Sequence, residues 1–139
     1  MLMNSDSERA QSGRVLVVDD DAMSRALVRR TLQRKGYSVA LVDRGSDGLA
    51  LLRETEFDVV VLDLVMPRFS GIDFLRAYAA RRPAAPPKIV VVTASDDPAA
   101  WRTCRELGVR LLLLKPVRVD TLLAFVAVAV RERVAARAR

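Results

Sequence analysis

The chain has 139 residues, of which 51% are hydrophobic and 29% charged, and its net charge is +6. This length supports one hydrophobic core rather than two ordinary domains, and the composition excludes an intrinsically disordered protein. There is no histidine, which excludes a Ser-His-Asp hydrolase, a histidine-ligated metal site and a phosphohistidine within the chain.

Five short apolar runs, most of them rich in valine, recur along the chain. They are VLVV (15–18), VALV (39–42), VVVL (59–62), IVVV (89–92) and LLLL (111–114). Near-continuous apolar runs of this length are typical of strands in a parallel sheet that helices cover on both faces. Leucine also favours helices, but the position of LLLL between Gly108 and Pro116 favours a strand.

Helical patterns fill the intervals between these runs. The first has apolar residues four apart and is expected to end at Gly36. The fourth is expected to begin at Asp97-Pro98, because aspartate is a good N-cap and proline suits the first helical turn. The predicted helices after the first cover residues 46–54, residues 71–82 ahead of PAAPP, residues 97–108, and a last helix from 119 or 120 whose terminal arginines are expected to fray.

The alternating order predicts an α/β protein with a single (βα)5 doubly wound domain and a five-stranded parallel sheet, as in flavodoxin-like folds. Ligands of such sheets bind at the carboxyl ends of the strands. Polar residues occupy these ends: Asp19, Asp20 and Asp21 follow the first run, Asp63 the third, Thr93 and Ser95 the fourth, and Lys115 the fifth.

This convergence is difficult to explain by structure alone, because carboxylates placed close together repel one another unless positive charge neutralises them. Lys115 supplies one positive charge, and a divalent cation would supply more. Carboxylates, a backbone carbonyl and water are the ligands of a hard ion, so the sequence predicts Mg²⁺ or Mn²⁺.

The strings VLVVDDDAMSR, VVVLDLVMPRFSG, VVTAS and LLLLKPV resemble the signature segments of response regulator receiver domains, the phosphoacceptor modules of two-component signalling. The resemblance covers roughly residues 14 to 130, with the four motifs in the expected order. It implies a chemotaxis-regulator-like domain that takes a phosphoryl group from a histidine kinase or a histidine phosphotransfer protein. It implies no enzyme acting on a separate substrate, only catalysis of the domain's own phosphorylation and dephosphorylation.

By motif position, the resemblance implies that Asp63 is the phosphoacceptor and also a metal ligand. Asp20 matches the direct acidic ligand of the metal, and Asp19 its partner, which acts through metal-bound water. The carbonyl of Val65 matches the backbone ligand. Asp21 matches no required position, and we expect it to cap the first helix.

The resemblance also assigns the residues that would contact the phosphoryl group. Thr93 matches the hydroxyl that hydrogen-bonds this group and shifts when it arrives. Lys115 matches the lysine that pairs with a phosphoryl oxygen, and the peptide bond before Pro116 is often cis in the family.

Leu112 is a departure from the family pattern, because many receivers have Tyr or Phe three residues before the lysine. We expect Leu112 to be either core or a contact on the face of the fourth helix, fifth strand and fifth helix. Trp101 on the fourth helix is either a partner contact or an ordinary packing residue. The apolar Val65 leads to the hypothesis of slow hydrolysis of the phosphoryl group, since this position and Ser95 tend to control water access.

Three alternatives are open at this point. A haloacid-dehalogenase-type phosphatase would carry the phosphoryl group on Asp19, but it leaves Asp63-x-x-Met-Pro without a role. A pseudo-receiver would act as a protein-interaction domain that is never phosphorylated. Nucleic-acid binding is suggested by the basic C-terminal sequence RERVAARAR, but we expect none, because no DNA-reading motif accompanies it.

The chain is expected to be cytoplasmic and without membrane insertion. Its only cysteine, Cys104, cannot form an internal disulfide and is expected to be a packing residue. The longest apolar run, residues 122–130, is far shorter than the roughly 20 residues of a membrane span.

We predict a flexible tail over 1–13, the receiver domain over 14–131 and a basic helix end over 132–139. The sequence leaves open the downstream protein partner, the oligomeric state, and whether the domain stands alone or belongs to a larger hybrid.

Overall fold

The computed structural model describes residues 13–138. Within these residues, five strands alternate with five helices, as the sequence predicted. The elements are β1 (Arg14–Val18), α1 (Ala22–Arg34), β2 (Ser38–Val42), α2 (Gly45–Glu54), β3 (Val59–Leu62), α3 (Gly71–Ala80), β4 (Lys88–Thr93), α4 (Pro98–Glu106), β5 (Leu111–Leu114) and α5 (Val119–Arg137).

The five strands form one parallel sheet in the order β2-β1-β3-β4-β5. In the register, Val15 of β1 lies opposite Val39 of β2 on one side and Val59 of β3 on the other. The chain therefore runs outward from β1 to β2 and then crosses back to β3. This reversal confirms the doubly wound, flavodoxin-like fold, and it places a ligand-binding crevice beyond the carboxyl ends of β1 and β3.

The core has two layers, one on each face of the sheet. Alternate residues of a strand point to opposite faces, so Val15 and Val17 pack with α1 and α5 while Leu16 and Val18 pack with α2, α3 and α4. Cys104 is fully buried in the second layer, which confirms that it is a packing residue. Because the strands are covered on both faces, polar chemistry is confined to the strand ends and the loops.

The predicted caps of α1 and α4 are confirmed. The Asp21 carboxylate accepts a hydrogen bond from the Met23 N–H at 3.0 Å, and Gly36 ends the turn after α1 with a φ of 91°. At α4, the Asp97 carboxylate accepts from Ala99 N–H at 3.0 Å, and Pro98 is the first helical residue.

Two helices end slightly earlier than the sequence predicted. Helix α3 ends at Ala80 rather than at residue 82, because Arg82 has a φ of 47°, outside the helical region. Helix α4 ends at Glu106, ahead of Gly108 with a φ of 94°. In both cases, the left-handed turn takes up the last residues of the predicted helix.

Arg133 anchors the end of α5 at the edge of the sheet where the strands begin. Its side chain is 3% exposed, and its Nη1 lies 2.8 Å from Asp58 Oδ1. It also donates to the carbonyls of Ala85 and Pro86 at 3.1 and 3.3 Å, while Arg14 N–H donates to Asp58 Oδ2 at 2.8 Å. This network joins α5 to β1, β3 and the loop before β4.

Helix α5 is continuous to Arg137, through the basic segment that was expected to fray. The predicted domain boundary at residues 131 and 132 stays a prediction. The predicted tail over residues 1–13 lies outside the described residues except for Gly13. Of the helices within residues 13–138, none combines the length and the apolar character that crossing a membrane requires.

Candidate functional site

Three carboxylates meet beyond the carboxyl ends of β1 and β3. One oxygen from each of Asp19, Asp20 and Asp63 lies within 4.8 Å of the others. Asp19 and Asp63 are almost fully buried, with exposures of 3% and 4%, whereas Asp20 is exposed. Adjacent parallel strands produce this convergence, since their ends meet at the same edge of the sheet.

Lys115 brings positive charge to this cluster from the end of β5. Its Nζ lies 2.8 Å from Asp19 Oδ2 and 3.3 Å from Asp63 Oδ2. Its backbone N–H donates to the Thr93 carbonyl at 2.8 Å, and the Lys115–Pro116 peptide bond is cis, as the family resemblance implied. The lysine therefore bridges two buried carboxylates that would otherwise repel each other.

Local turns fix the orientation of both buried carboxylates. Asp19 Oδ1 accepts from Asp21 N–H at 2.9 Å, and Asp63 Oδ1 accepts from Val65 N–H at 3.1 Å. In each case the acceptor bonds the backbone two residues on, as aspartate does in tight turns. One oxygen of each carboxylate is thus held by the loop, and the other faces Lys115.

Burial raises the pKa of Asp63 above its ordinary 3.8, and the nearby charge of Asp19 acts in the same direction. The Val65 N–H and the Lys115 ammonium lower this pKa without offsetting the burial. Burial also lowers the pKa of Lys115, but its hydrogen bond to Asp19 and the charge of Asp63 outweigh that effect, so it lies above 10.5. The cluster of three carboxylates is therefore incompletely neutralised by one lysine.

This charge imbalance fits a hard divalent cation. The cluster offers carboxylate oxygens at one edge, two of them on nearly buried side chains and one on the exposed Asp20. Such oxygen donors suit Mg²⁺ or Mn²⁺. The acidic residues can hold a metal ion, and which of them bind it stays a prediction.

Arg25 is a residue of this region that the sequence reasoning missed. Its Nη1 donates to the backbone carbonyl of Asp19 at 2.7 Å, from one turn into α1. The guanidinium therefore ties α1 to the loop that carries Asp19 and Asp20. The signal was an arginine six residues after Asp19, a spacing that carries no chemical meaning until the loop geometry is known.

Gly71 lets the start of α3 pack closely against the backbone of Asp63 and Leu64. Its N–H donates to the Leu64 carbonyl at 3.0 Å, and a Cβ at this position would lie 2.3 Å from the Asp63 carbonyl oxygen. Only glycine fits so close an approach of two backbone segments. The Gly71 of the LDLVMPRFSG string is thus explained by packing against the loop that follows the acidic residue.

Thr93 lies at the end of β4, between the acidic strand ends and α4, and is fully buried. Its hydroxyl accepts from Ser95 N–H at 3.2 Å. Trp101 and Leu112 lie away from the carboxylates. Leu112 packs, partly buried, against the second core layer, and half-buried Trp101 donates its indole N–H to the Ser95 carbonyl at 2.7 Å.

The structure thus brings Asp19, Asp20, Asp63 and Lys115 together, as the sequence analysis expected. Val65 lies two residues after Asp63, to whose carboxylate its N–H donates, and is 56% exposed. The individual roles of these residues stay predictions.

Comparison with known proteins places this site in a family. A family model described as response regulator receiver domain matches residues 15–127. The chain is 33% identical over 117 residues to the sensory/regulatory protein RpfC of Xanthomonas campestris, covering 83% of this chain and 16% of that protein. It is 38% identical over 111 residues to the response regulator MprA of Mycobacterium sp. (strain KMS), covering 80% and 47%. The chain therefore spans less than half the length of these two relatives.

The fold has solved counterparts as well. The structure of chemotaxis protein CheY4 from Vibrio cholerae superposes with a TM-score of 0.74 at 32% identity, covering 80% of this chain and 92% of that one.

Proposed function

Because this chain belongs to the response regulator receiver domain family of two-component systems, we propose that it accepts a phosphoryl group on Asp63 in a reaction that depends on Mg²⁺ or Mn²⁺. The observation that carries this proposal is the position of Asp63. Its carboxylate lies beside Asp19 and Asp20 and within 3.3 Å of the Lys115 ammonium. Asp19 lies closer to the Lys115 ammonium, at 2.8 Å. We therefore propose Asp19 as a partner of the metal rather than as the acceptor.

The acidic cluster supports a metal requirement. Asp20 and Asp63 would ligate the ion directly, with the Val65 carbonyl, and Asp19 would act through water. When bound, the ion withdraws negative charge from the phosphoryl oxygens and from the three carboxylates. Without it, the buried Asp63 carboxylate has only Lys115 as a cationic partner among the described residues.

The proposed reaction is a nucleophilic displacement at phosphorus. A carboxylate oxygen of Asp63 forms a bond to phosphorus while the bond from phosphorus to the imidazole nitrogen of a donor phosphohistidine breaks. The electron pair of that bond leaves with the imidazole, and an acyl phosphate remains on Asp63. A carboxylate is a modest nucleophile, so positioning and charge neutralisation must supply most of the acceleration.

Lys115 and Thr93 would stabilise the transferred group. Lys115 already reaches Asp63 Oδ2, and a small movement would bring its ammonium to a phosphoryl oxygen. The Thr93 hydroxyl would donate a hydrogen bond to a second oxygen. Water would later attack the phosphorus and break its bond to the Asp63 oxygen, releasing inorganic phosphate and the free carboxylate, so the domain acts on itself and not on a separate substrate.

The donor is proposed to be a histidine kinase or a histidine phosphotransfer protein, and the output a protein that reads the phosphorylated state. The face that includes Leu112 and Trp101 is the proposed contact for that partner. No observation favours the pseudo-receiver reading, since the acceptor, the acidic pair and the lysine are all present.

The test is the intact mass of the protein after incubation with acetyl phosphate and Mg²⁺. We expect one phosphoryl adduct in the wild type and none in Asp63→Asn or with a chelator. Asp43→Asn is the matched control, because Asp43 is exposed and lies outside the acidic cluster, and it should form the adduct normally. An adduct that persists in Asp63→Asn would reassign the acceptor, and no adduct in the Mg²⁺-bound wild type would refute the proposed reaction.

A further inference from the structure

Arg25 contacts both ends of the triplet Asp19-Asp20-Asp21, which forms the loop between β1 and α1. Its backbone N–H donates to the Asp21 carbonyl at 2.9 Å and so closes the first turn of α1. Its side chain reaches back to the start of the loop, where Nη1 donates to the Asp19 carbonyl at 2.7 Å. Because the backbone of Arg25 is fixed in the helix, its guanidinium holds this carbonyl from a rigid element.

The two peptide units on either side of Asp20 are therefore both held. The first joins Asp19 to Asp20, and its carbonyl accepts the hydrogen bond from Arg25. The second joins Asp20 to Asp21, and its N–H donates to Asp19 Oδ1 at 2.9 Å. A peptide unit is planar, so a hydrogen bond to one of its atoms restricts the direction of the whole unit. Arg25 and the Asp19 carboxylate thus restrict the backbone that enters and leaves Asp20.

Asp20 depends on this support more than the other two carboxylates of the cluster. Asp19 and Asp63 are 3% and 4% exposed, and the Lys115 ammonium contacts both of them. Asp20 is exposed, so packing contributes little to the position of its side chain. One of its carboxylate oxygens nevertheless lies within 4.8 Å of the others. The backbone on either side of Asp20 is therefore the main constraint on where this carboxylate lies.

We infer that Arg25 is a positioning residue for the divalent cation, because it holds the peptide unit that precedes Asp20. The inference rests on the metal requirement of the proposed function, and it adds a residue that is not itself a ligand. Asp19 is almost fully buried, so water would replace the lost donor poorly if the guanidinium were removed. The peptide unit would then be free to rotate, and Asp20 would have to be ordered again each time the cation binds.

The positive charge of Arg25 predicts the opposite effect on the metal. Arg25 is a cation next to the proposed cation site, so removing its charge alone would strengthen the binding of Mg²⁺. Removing its hydrogen bond should weaken the binding, because the ion must then order the loop. Since charge and positioning act in opposite directions, the sign of the change in Mg²⁺ affinity shows which of them dominates.

The test is the dissociation constant of Mg²⁺, measured by isothermal titration calorimetry on the full chain. Arg25→Met removes the donor and should raise this constant about tenfold, which is the order of the entropic cost of fixing one residue's backbone. Arg25→Lys keeps the charge and a donor, and should recover most of the affinity. Arg29→Met removes an exposed arginine one turn further along α1 and should bind Mg²⁺ as the wild type does. Arg25→Gln, which is neutral and too short to reach the carbonyl, takes the place of Arg25→Met should that variant not fold.

A second readout separates metal binding from the chemical step. With acetyl phosphate, Arg25→Met should form the Asp63 adduct more slowly than the wild type at the Mg²⁺ concentration that half-saturates the wild type. At Mg²⁺ tenfold above the variant's own dissociation constant, the two rates should be nearly equal. A rate that stays low in saturating Mg²⁺ would overturn the positioning role, because the defect would then lie beyond metal binding.

The remaining outcomes distinguish this inference from the proposed function. Unchanged or tighter Mg²⁺ binding in Arg25→Met, with a normal adduct in the wild type, would overturn the inference and leave the proposed function intact. Equal weakening in Arg25→Met and Arg29→Met, or in Arg25→Met and Arg25→Lys, would contradict a role for the hydrogen bond. A wild type that binds Mg²⁺ but forms no adduct would refute the phosphorylation, while weaker binding in Arg25→Met would still support the positioning role. A wild type that binds no Mg²⁺ would refute both.

Discussion

The ammonium of Lys115 lies 2.8 Å from the carboxylate of Asp19, in a position where the lysine side chain is 17% and the aspartate side chain 5% exposed. The same ammonium is 3.3 Å from Asp63. One lysine thus serves two buried carboxylates, and it is closer to the one that is not the proposed acceptor. In the metal-free protein, Lys115 therefore stabilises the fold, in addition to its proposed role in phosphoryl transfer.

Replacing Lys115 with methionine should destabilise the metal-free protein by about 3 kcal/mol at pH 7, because two buried carboxylates lose their partner. The raised pKa of Lys115 means that its contribution is present below pH 10.5 and is lost as the pH rises through the higher folded-state pKa. Urea unfolding in a chelator measures the change. Lys115→Arg keeps the charge and should lose less, and equal losses in the two variants would contradict this explanation.

Asp63→Asn should have the opposite effect and raise the free energy of unfolding of the metal-free protein. Burial raises the pKa of Asp63, so ionising this group costs more in the folded than in the unfolded state. That cost is absent below pH 3.8 and develops fully as the pH rises through the folded-state pKa. We expect a gain in the free energy of unfolding at pH 7 that disappears at low pH. A gain that persists unchanged at pH 3 would exclude this cause.

Mg²⁺ should stabilise the wild type by about 1.4 kcal/mol when its concentration is tenfold above the dissociation constant. Asp20→Asn should be near neutral without metal, because Asp20 is exposed, but should lose this stabilisation. Thermal unfolding with and without Mg²⁺ measures both values. Asp96→Asn removes an exposed carboxylate outside the acidic cluster and should keep the full Mg²⁺ effect; a loss there would point to non-specific binding.

Arg133→Met should cost about 3 kcal/mol, because it leaves Asp58 unpaired and two loop carbonyls without a donor. Arg131→Met is the matched control on the same helix, with an exposed side chain, and should change stability by less than about 0.5 kcal/mol. Folded Arg133→Met protein should still form the phosphoryl adduct. Equal stability of the two variants would show that the buried network contributes little.

Val65→Asn tests the hypothesis that an apolar residue beside Asp63 slows the loss of the phosphoryl group. The side chain of Val65 is 56% exposed, so the substitution should fold normally and place a polar amide where water enters. We expect the half-life of the adduct to shorten several-fold and by no more than about tenfold, which corresponds to a barrier lowered by about 1.4 kcal/mol or less. Decay of the adduct followed by mass gives the answer, and an unchanged half-life would remove the basis of the hypothesis.

The strand ends could be predicted from the sequence because the parallel sheet imposes the geometry. Once the apolar runs were interpreted as strands, Asp19, Asp63 and Lys115 had to meet at one edge. The helix ends were less predictable. The left-handed conformation of Arg82 is set by its loop rather than by a recognisable turn residue, and so the early end of α3 carried no sequence signal.

The Arg133–Asp58 pair could not be predicted, because its members lie 75 residues apart and no local pattern relates them. In the sequence, Arg133 is one of several arginines in a basic helix end that was expected to fray. The contact of Arg25 with the Asp19 carbonyl was missed for a similar reason, since it depends on the course of a loop. Periodicity identifies the apolar faces of helices, but it does not identify a buried cation.

The buried position of Arg133 also sets a lower limit on how far this domain can be trimmed. A polypeptide cut after residue 131 would keep every strand and every residue of the acidic cluster, yet it would leave Asp58 facing an empty site at the opposite edge. Any excision of the domain, or any fusion joined at its carboxyl terminus, should therefore preserve the helix through Arg133. The fold that positions the acidic cluster at one edge of the sheet is thus stabilised by an ion pair at the other edge.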